Sequence, residues 1–271
     1  MVERIACFLT CGYTESGTMQ AFLRKINSSY EYKQFLPNKI RKKKGTEKII
    51  ADNINGLTGE KLIAKVYDIL KNHSNEIKEC KAIIIEDDLD GRFNGWSGEK
   101  IKKYKRDIIF EIQENIGIRL PVFFIYASPE IESWFIADWK NGYKYLYTSS
   151  EFVEDLELNE RKFFVNHLKK YINKHILRGY QDNIEHYGFF NDEYIKLSDK
   201  IKEAIEFDCK EYISHISKLN HEMVQKICNS KKLYYSKKYH GSIMLKNIDP
   251  DIVASKCTCY FQESYLQLKQ F

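Results

Sequence analysis

Residues 82–90 read Ala-Ile-Ile-Ile-Glu-Asp-Asp-Leu-Asp, an unbroken apolar run that turns abruptly into acids. A short continuous apolar run marks a strand buried on both faces, as in a parallel sheet covered by helices. Two more such runs occupy residues 5–10 (IACFLT) and 121–126 (PVFFIY). Helical spacing fills the intervals. Met19, Phe22, Leu23 and Ile26 follow the first run; Leu62, Ile63, Val66, Ile69 and Leu70 precede the second. A further helix is expected from about Glu99 to about Glu114, and another from near Pro129 to about Trp139. Strands alternating with helices predict an α/β fold, a mostly parallel sheet flanked by helices, over residues 1–140. Residues 141–271 are Tyr-, Phe- and Lys-rich and read as mainly helical. Phe163, Phe164, Leu168, Tyr171 and Ile172 fall at helical spacing, and similar patterns cover 195–205 and 211–227. This part is expected to pack on the α/β core, with the last ~35 residues returning to it.

Composition narrows the function classes. The chain has 271 residues, 43% of them hydrophobic and 30% charged, which excludes a disordered chain. It contains no apolar stretch long enough to span a bilayer, and its first residues do not read as a signal peptide. A net charge of +5 permits nucleic-acid binding without requiring it. The seven cysteines are scattered and form no Cys-x-x-Cys, so no zinc site is expected, and free thiols in a reducing cytoplasm are the better reading.

The acids carry the functional signal. In open parallel sheets, sites form beyond the carboxyl ends of the strands. Glu15 lies just past the first strand. Asp87, Asp88 and Asp90 close the second, and Glu130 and Glu132 follow the third. If the strands are neighbours, these carboxylates converge, and converging carboxylates repel unless a cation neutralises them. Hard oxygen donors without nearby His or Cys favour Mg²⁺ or Mn²⁺. A period of two puts Asp88 and Asp90 on one face of an extended segment, suited to joint capture of a metal. Such sites activate water and clamp phosphate oxygens. Each acid also has an ordinary reading: Glu15 as a helix-terminal charge, the Asp-rich turn as a solvated loop. Glu130 is expected to cap its helix, and Glu132 to point inward because it shares a face with Ile136.

Basic and aromatic residues supply candidate nucleic-acid contacts. Arg41, Lys42, Lys43 and Lys44 form a run that is either a solvated loop or a phosphate contact. Lys237 and Lys238 are interleaved with Tyr234, Tyr235 and Tyr239, a pattern suited to single strands or to a half-buried helix. Residues 91–98 (GRFNGWSG) place Arg92 and Trp96 beside the acids, with Trp96 a candidate for stacking on a base. No P-loop pattern is present.

Three short motifs resemble one family. Gly12-Tyr13-Thr14-Glu15, Asp87 to Asp90, and Glu132-Ser133-Trp134-Phe135-Ile136-Ala137-Asp138 carry the likeness. Of these, Thr14-Glu15 and Asp88-Leu89-Asp90 resemble the Glu after the first strand and the later Asp-x-Asp of the topoisomerase–primase (Toprim) fold, in its overcoming-lysogenization-defect-like nuclease branch. The likeness is closest to small prokaryotic Toprim-like proteins encoded beside mobile-element and phage-defence genes. The stretch from Tyr239-His240-Gly241 through Cys257 to Phe261 also resembles that family's ending. The chain departs from the pattern at Cys11, where an acid often stands, and in the long segment 140–235. The resemblance implies a Mg²⁺-dependent (or Mn²⁺-dependent) nuclease acting on DNA or RNA in anti-phage defence or a mobile element. Glu15 would be general base or metal ligand, Asp88 and Asp90 metal ligands, Asp87 a helper, and Glu132 would complete the site or bind a second metal. An ATPase partner from the same locus is expected by the same likeness, and a homo-oligomer is compatible with it. Two other readings stay open: a non-catalytic Toprim-like module that binds nucleic acid or a partner, and a phosphotransfer enzyme acting on a small nucleotide.

Overall fold

A computed structural model describes residues 2–10, 12–15, 17–37, 56–149, 154–180, 182–187, 196–217 and 220–271. The basic run containing Lys42 and Lys43, and the departure at Cys11, lie outside the described residues. Four strands form one all-parallel sheet: β1 (Arg4–Phe8), β2 (Glu31–Leu36), β3 (Ala82–Asp88) and β4 (Val122–Ala127), in the order β2-β1-β3-β4. Helices flank it, so the fold is α/β, as the alternating runs require. The strand that apolar runs do not reveal is β2. Its sequence, EYKQFL, carries Glu31, Lys33 and Gln34 because this edge strand is partly open to solvent, whereas β4, the other edge, is covered by the end of the chain and stays apolar. Such a strand needs only part of its surface apolar.

The first helix, α1 (Met19–Ile26), buries the four residues its spacing predicts. It packs on one face of the sheet, against Ile5, Cys7, Ala82 and Ile84. The helices α2 (Gly59–Lys78) and α3 (Gly98–Ile116) cover the opposite face, against Ala6, Phe8, Ile83 and Ile85. Ser97 caps α3, accepting from Lys100 N, and Gly117 ends it in the left-handed conformation (φ 70°).

The short helix α4 (Glu132–Ala137) follows β4. The helices α5 (Tyr143–Thr148), α6 (Leu158–Tyr171), α7 (Leu197–Glu203), α8 (Cys209–Ile216), α9 (His221–Asn229), α10 (Ser242–Asn247), α11 (Pro250–Lys256) and α12 (Phe261–Gln270) come next. Their buried residues continue the core on the α1 face of the sheet. The pattern at 211–227 is two helices rather than one. Asn220 adopts φ 57° and its side chain accepts from Met223 N at 3.2 Å, starting α9 afresh.

The end of the chain lies on the sheet. Ser264 Oγ donates to Phe124 O of β4, and Asn27 donates to Leu268 O at 3.0 Å. Trp134 of α4 is stacked on Phe22 of α1 at 5.1 Å and tilted against Phe261 of α12 at 4.8 Å. Aromatic contacts of this kind contribute about 0.5–1.5 kcal/mol each beyond area burial. They fix α4, and the acids before and within it, against the β1–α1 unit.

Chain direction sets the location of the site. The chain steps from β1 out to β2, then crosses back over β1 to β3, then out to β4. The topological switch is between β1 and β3, and a crevice opens there at the carboxyl ends. Register places Phe8 beside Ile85, so Glu86, Asp87 and Asp88 extend past the end of β1. Among the described residues, no helix is long and apolar enough to cross a membrane.

Candidate active site at the strand switch

Alternation along β3 sorts its acids. Ile83 and Ile85 face α2 and α3, whereas Ala82 and Ile84 face α1. Continuing that period, Glu86 and Asp88 fall on the α1 side and Asp87 on the other. Hydrogen bonds agree. Both Asp87 oxygens accept from Gly59 N, at 3.1 and 3.3 Å, at the start of α2, and Oδ2 pairs with Arg92 at 2.7 Å. Asp87 therefore braces α2 and the loop after β3, and it points away from Asp88. Removing it leaves a mostly buried guanidinium unpaired and a helix start uncapped. Asp87→Ala is expected to lower stability by about 2–4 kcal/mol. Urea unfolding would check this, with a change within error counting against the assignment.

Asp88 is buried, and its Oδ1 accepts from Ile131 N at 3.0 Å, ahead of α4. Asp90 is not on the strand. It adopts φ 47° in the turn, which ends the period-two relation to Asp88. Its N–H donates to Pro129 O at 2.8 Å. The turn nevertheless brings Asp90 to the same cavity as Asp88.

Glu15 is 2% exposed, in the turn between β1 and α1. Gly12 lies directly against the Glu15 carboxylate: a Cβ there would meet Oε2 and displace it. The chain's end presses on the same turn: a Cβ at Gly241 would collide with Thr14. Glu86 is fully buried and Oε2 accepts from Thr10 N at 2.8 Å. Glu15 Oε2 and Glu86 Oε1 are buried with no hydrogen-bond partner.

Glu130 does not cap its own helix. Its carboxylate reaches α7 instead, accepting from Ser198 N at 2.8 Å and Ser198 Oγ at 3.2 Å. Glu132 is fully buried and inward, as its face predicts, with Oε1 accepting from Tyr235 Oη at 2.7 Å. Lys237 joins the two acids, 3.3 Å from Glu130 Oε1 and 3.2 Å from Glu132 Oε2. Lys237 thus sits among the carboxylates, not on an open surface.

A cavity of about 310 Å³ collects these groups, with walls that include Thr10, Glu15, Asp88, Asp90, Glu130 and Lys237. Glu132 is not on its wall and stands behind Lys237 and Glu130. The electrostatics follow from burial and crowding. Burial, with Glu132 and Glu130 nearby, pushes Glu15 up to about 7 against the opposing pull of Lys237. Burial also pushes Glu86 and Asp88 well above the carboxylate range; Glu15 adds to the rise in both, and Lys237 opposes it at Asp88. Burial works against the charge of Lys237, but Glu132, Asp88 and Glu130 outweigh it and hold the ammonium protonated.

The other candidate contacts divide. Arg92 donates to Asp87 and, at 2.8 Å, to Asp88 O, and is only 20% exposed. Trp96 packs on Phe93 and Tyr104 at 5.2 and 5.8 Å, with Lys100 over its ring at 4.0 Å. Neither belongs to the cavity wall. Lys238 is at the mouth, over the rings of Tyr13 and Tyr239.

Donor chemistry suits a divalent cation. Buried carboxylate oxygens without partners, repelling one another, are stabilised by a hard cation. Among the described residues no three His, Cys, Asp or Glu side chains enclose an ion by themselves. Mg²⁺ commonly takes one or two carboxylates and completes its shell with waters and substrate phosphates. Glu15, Asp88 and Asp90 share the cavity wall and could hold such an ion there, Glu15 with an unpartnered oxygen and Asp88 with Oδ1 already taken by Ile131 N. Compared with known proteins, the chain matches no family model, no curated protein sequence and no solved structure.

Proposed function

We propose that this protein is a divalent-metal-dependent nuclease that hydrolyses phosphodiester bonds of DNA or RNA, built on a Toprim-like plan. The observation that carries the reading is the meeting of Glu15, from the turn after β1, with Asp88, from the end of β3, on one cavity wall at the strand switch. Mg²⁺ or Mn²⁺, when bound, supplies charge for phosphate oxygens and a more acidic water. Glu15, whose carboxyl is pushed up by burial to about 7 while no cation is bound, is suited to hold the ion together with Asp88 once deprotonated. Glu130 and Glu132 hold Lys237 at the wall, where its ammonium can meet a phosphate oxygen. Glu132 is accordingly a positioning residue. A place in anti-phage defence and an ATPase partner belong to the same proposal and rest on the sequence resemblance.

One observation favours a second reading. Lys237 already neutralises part of the acid cluster, as would a non-catalytic module that needs no metal. Incubating plasmid DNA and structured RNA with the protein in Mg²⁺ or Mn²⁺, against EDTA, separates the two. The nuclease reading expects metal-dependent shortening of one polymer. Intact polymers in every metal support the binding module, and hydrolysis of mononucleotides alone supports a small-molecule phosphohydrolase.

A further inference from the structure

Two exposed tyrosines bracket a lysine at the mouth of the acidic cavity. Tyr13, in the turn that carries Glu15, is 61% exposed, and Tyr239, close in sequence to Lys237, is 58% exposed. Lys238 Nζ lies 5.8 Å from the Tyr13 centroid and 5.4 Å from the Tyr239 centroid. Adjacent lysines thus have opposite roles: Lys237 turns in to Glu130 and Glu132, and Lys238 stays outside over the rings. Isolated exposed aromatics are ordinary. Two aromatic faces around one cation, on the rim of a cavity whose wall includes Tyr13 itself, are a more specific arrangement.

We propose that this rim selects single-stranded nucleic acid, with unpaired bases stacking on Tyr13 and Tyr239 and Lys238 pairing with the phosphate between them. The proposal rests on the nuclease reading only for cleavage after binding, and it adds the substrate class. A duplex keeps its base faces stacked inside, so it cannot use the tyrosine faces, whereas unpaired bases can. The two rings belong to segments that the Gly241–Thr14 contact presses together, so the rim is formed by the fold itself and not by one flexible loop. Tyr13 lines the same cavity as Lys237, Glu15 and Asp88, so a strand seated on the rim lies beside them.

The test is fluorescence anisotropy with a labelled oligothymidylate, using full-length Glu15→Gln protein so that nothing is cleaved. The single strand is expected to bind roughly tenfold more tightly, or better, than a duplex of equal length. Tyr13→Ala and Tyr239→Ala are each expected to weaken binding roughly tenfold, whereas Tyr13→Phe and Tyr239→Phe retain it because the stacking face remains. Circular dichroism establishes that each variant is folded. Equal affinity for single strand and duplex, or alanine variants that bind like the parent, overturns the proposal. Failure of the nuclease reading looks different: tyrosine-dependent binding of single strands, with no cleavage by the wild-type protein in Mg²⁺ or Mn²⁺. Cleavage that persists unchanged in the alanine variants would keep the nuclease and remove the rim.

Discussion

In EDTA, the stability that Glu15 contributes, read as wild type against Glu15→Gln, is expected to fall as pH rises from about 4.5 to about 7, opposite to the trend from His240, which burial lowers from 6.5 to about 4; Mg²⁺ or Mn²⁺ is expected to restore stability at the upper end. The sign comes from proton linkage. A carboxyl raised by burial binds its proton more tightly folded than unfolded. Its contribution is fully present below the unfolded value and is lost as pH passes the folded one. For Glu15, raised from 4.5 to about 7, that is a loss of roughly 3 kcal/mol. Asp88 and Glu86 move in the same direction. At roughly 2–4 °C per kcal/mol for a chain of this size, the melting temperature of the wild type relative to Glu15→Gln should fall by roughly 6–12 °C over that range. Metal ligands must be deprotonated, so a saturating cation should stabilise most at high pH, by about 2.7 kcal/mol at about a hundred times its dissociation constant. Differential scanning fluorimetry across pH, with and without metal, reads both effects. Glu15→Gln should remove the falling component from the EDTA profile. A difference between wild type and Glu15→Gln that does not fall with pH, or a wild-type profile that Mn²⁺ leaves untouched, would show that no cation site is being emptied of protons.

The second large effect is on turnover. On the proposed nuclease reading, Asp88→Ala removes a proposed metal ligand from the wall, and it also removes the acceptor for Ile131 N. Asp88→Asn keeps a carbonyl oxygen for that N–H and isolates the loss of charge. Loss of several kcal/mol of transition-state stabilisation corresponds to about a thousandfold or more in rate. Glu15→Gln, which removes the charge of the other proposed ligand, is expected to cost about a hundredfold to ten-thousandfold. Asp87→Ala, by contrast, should lower stability while the folded fraction keeps cutting. Initial rates on the polymer that the wild type degrades, corrected for folded fraction, give the comparison. Equal losses at Asp87 and Asp88 would mean that the division of β3 into two faces is wrong.

Much of the architecture is legible in the sequence. Continuous apolar runs expose β1, β3 and β4, because buried parallel strands have no polar face to interrupt them. The edge strand β2 escapes because an edge tolerates Glu31, Lys33 and Gln34. Placing Glu15 and the Asp88–Asp90 turn at strand ends is enough to foresee that they meet. The period of two, applied back along β3, also separates Asp87 from Asp88 and adds Glu86 to the site face; that signal is present in Glu86-Asp87-Asp88. It fails at Asp90, where φ is 47° and the chain is no longer extended. Two placements have no local signal. Glu130 caps the distant helix α7, and Lys237 enters the cluster from far along the chain, in each case through tertiary packing that no spacing rule encodes.

If Glu15 and Asp88 share one divalent cation, Mn²⁺ binding followed by electron paramagnetic resonance reports it directly. Wild-type protein at about pH 8 should quench the free Mn²⁺ signal with saturable binding that Mg²⁺ competes away. Glu15→Gln and Asp88→Asn should each abolish that binding while remaining folded. Wild-type protein that leaves the Mn²⁺ signal free, or binding that survives both substitutions, would contradict the shared site.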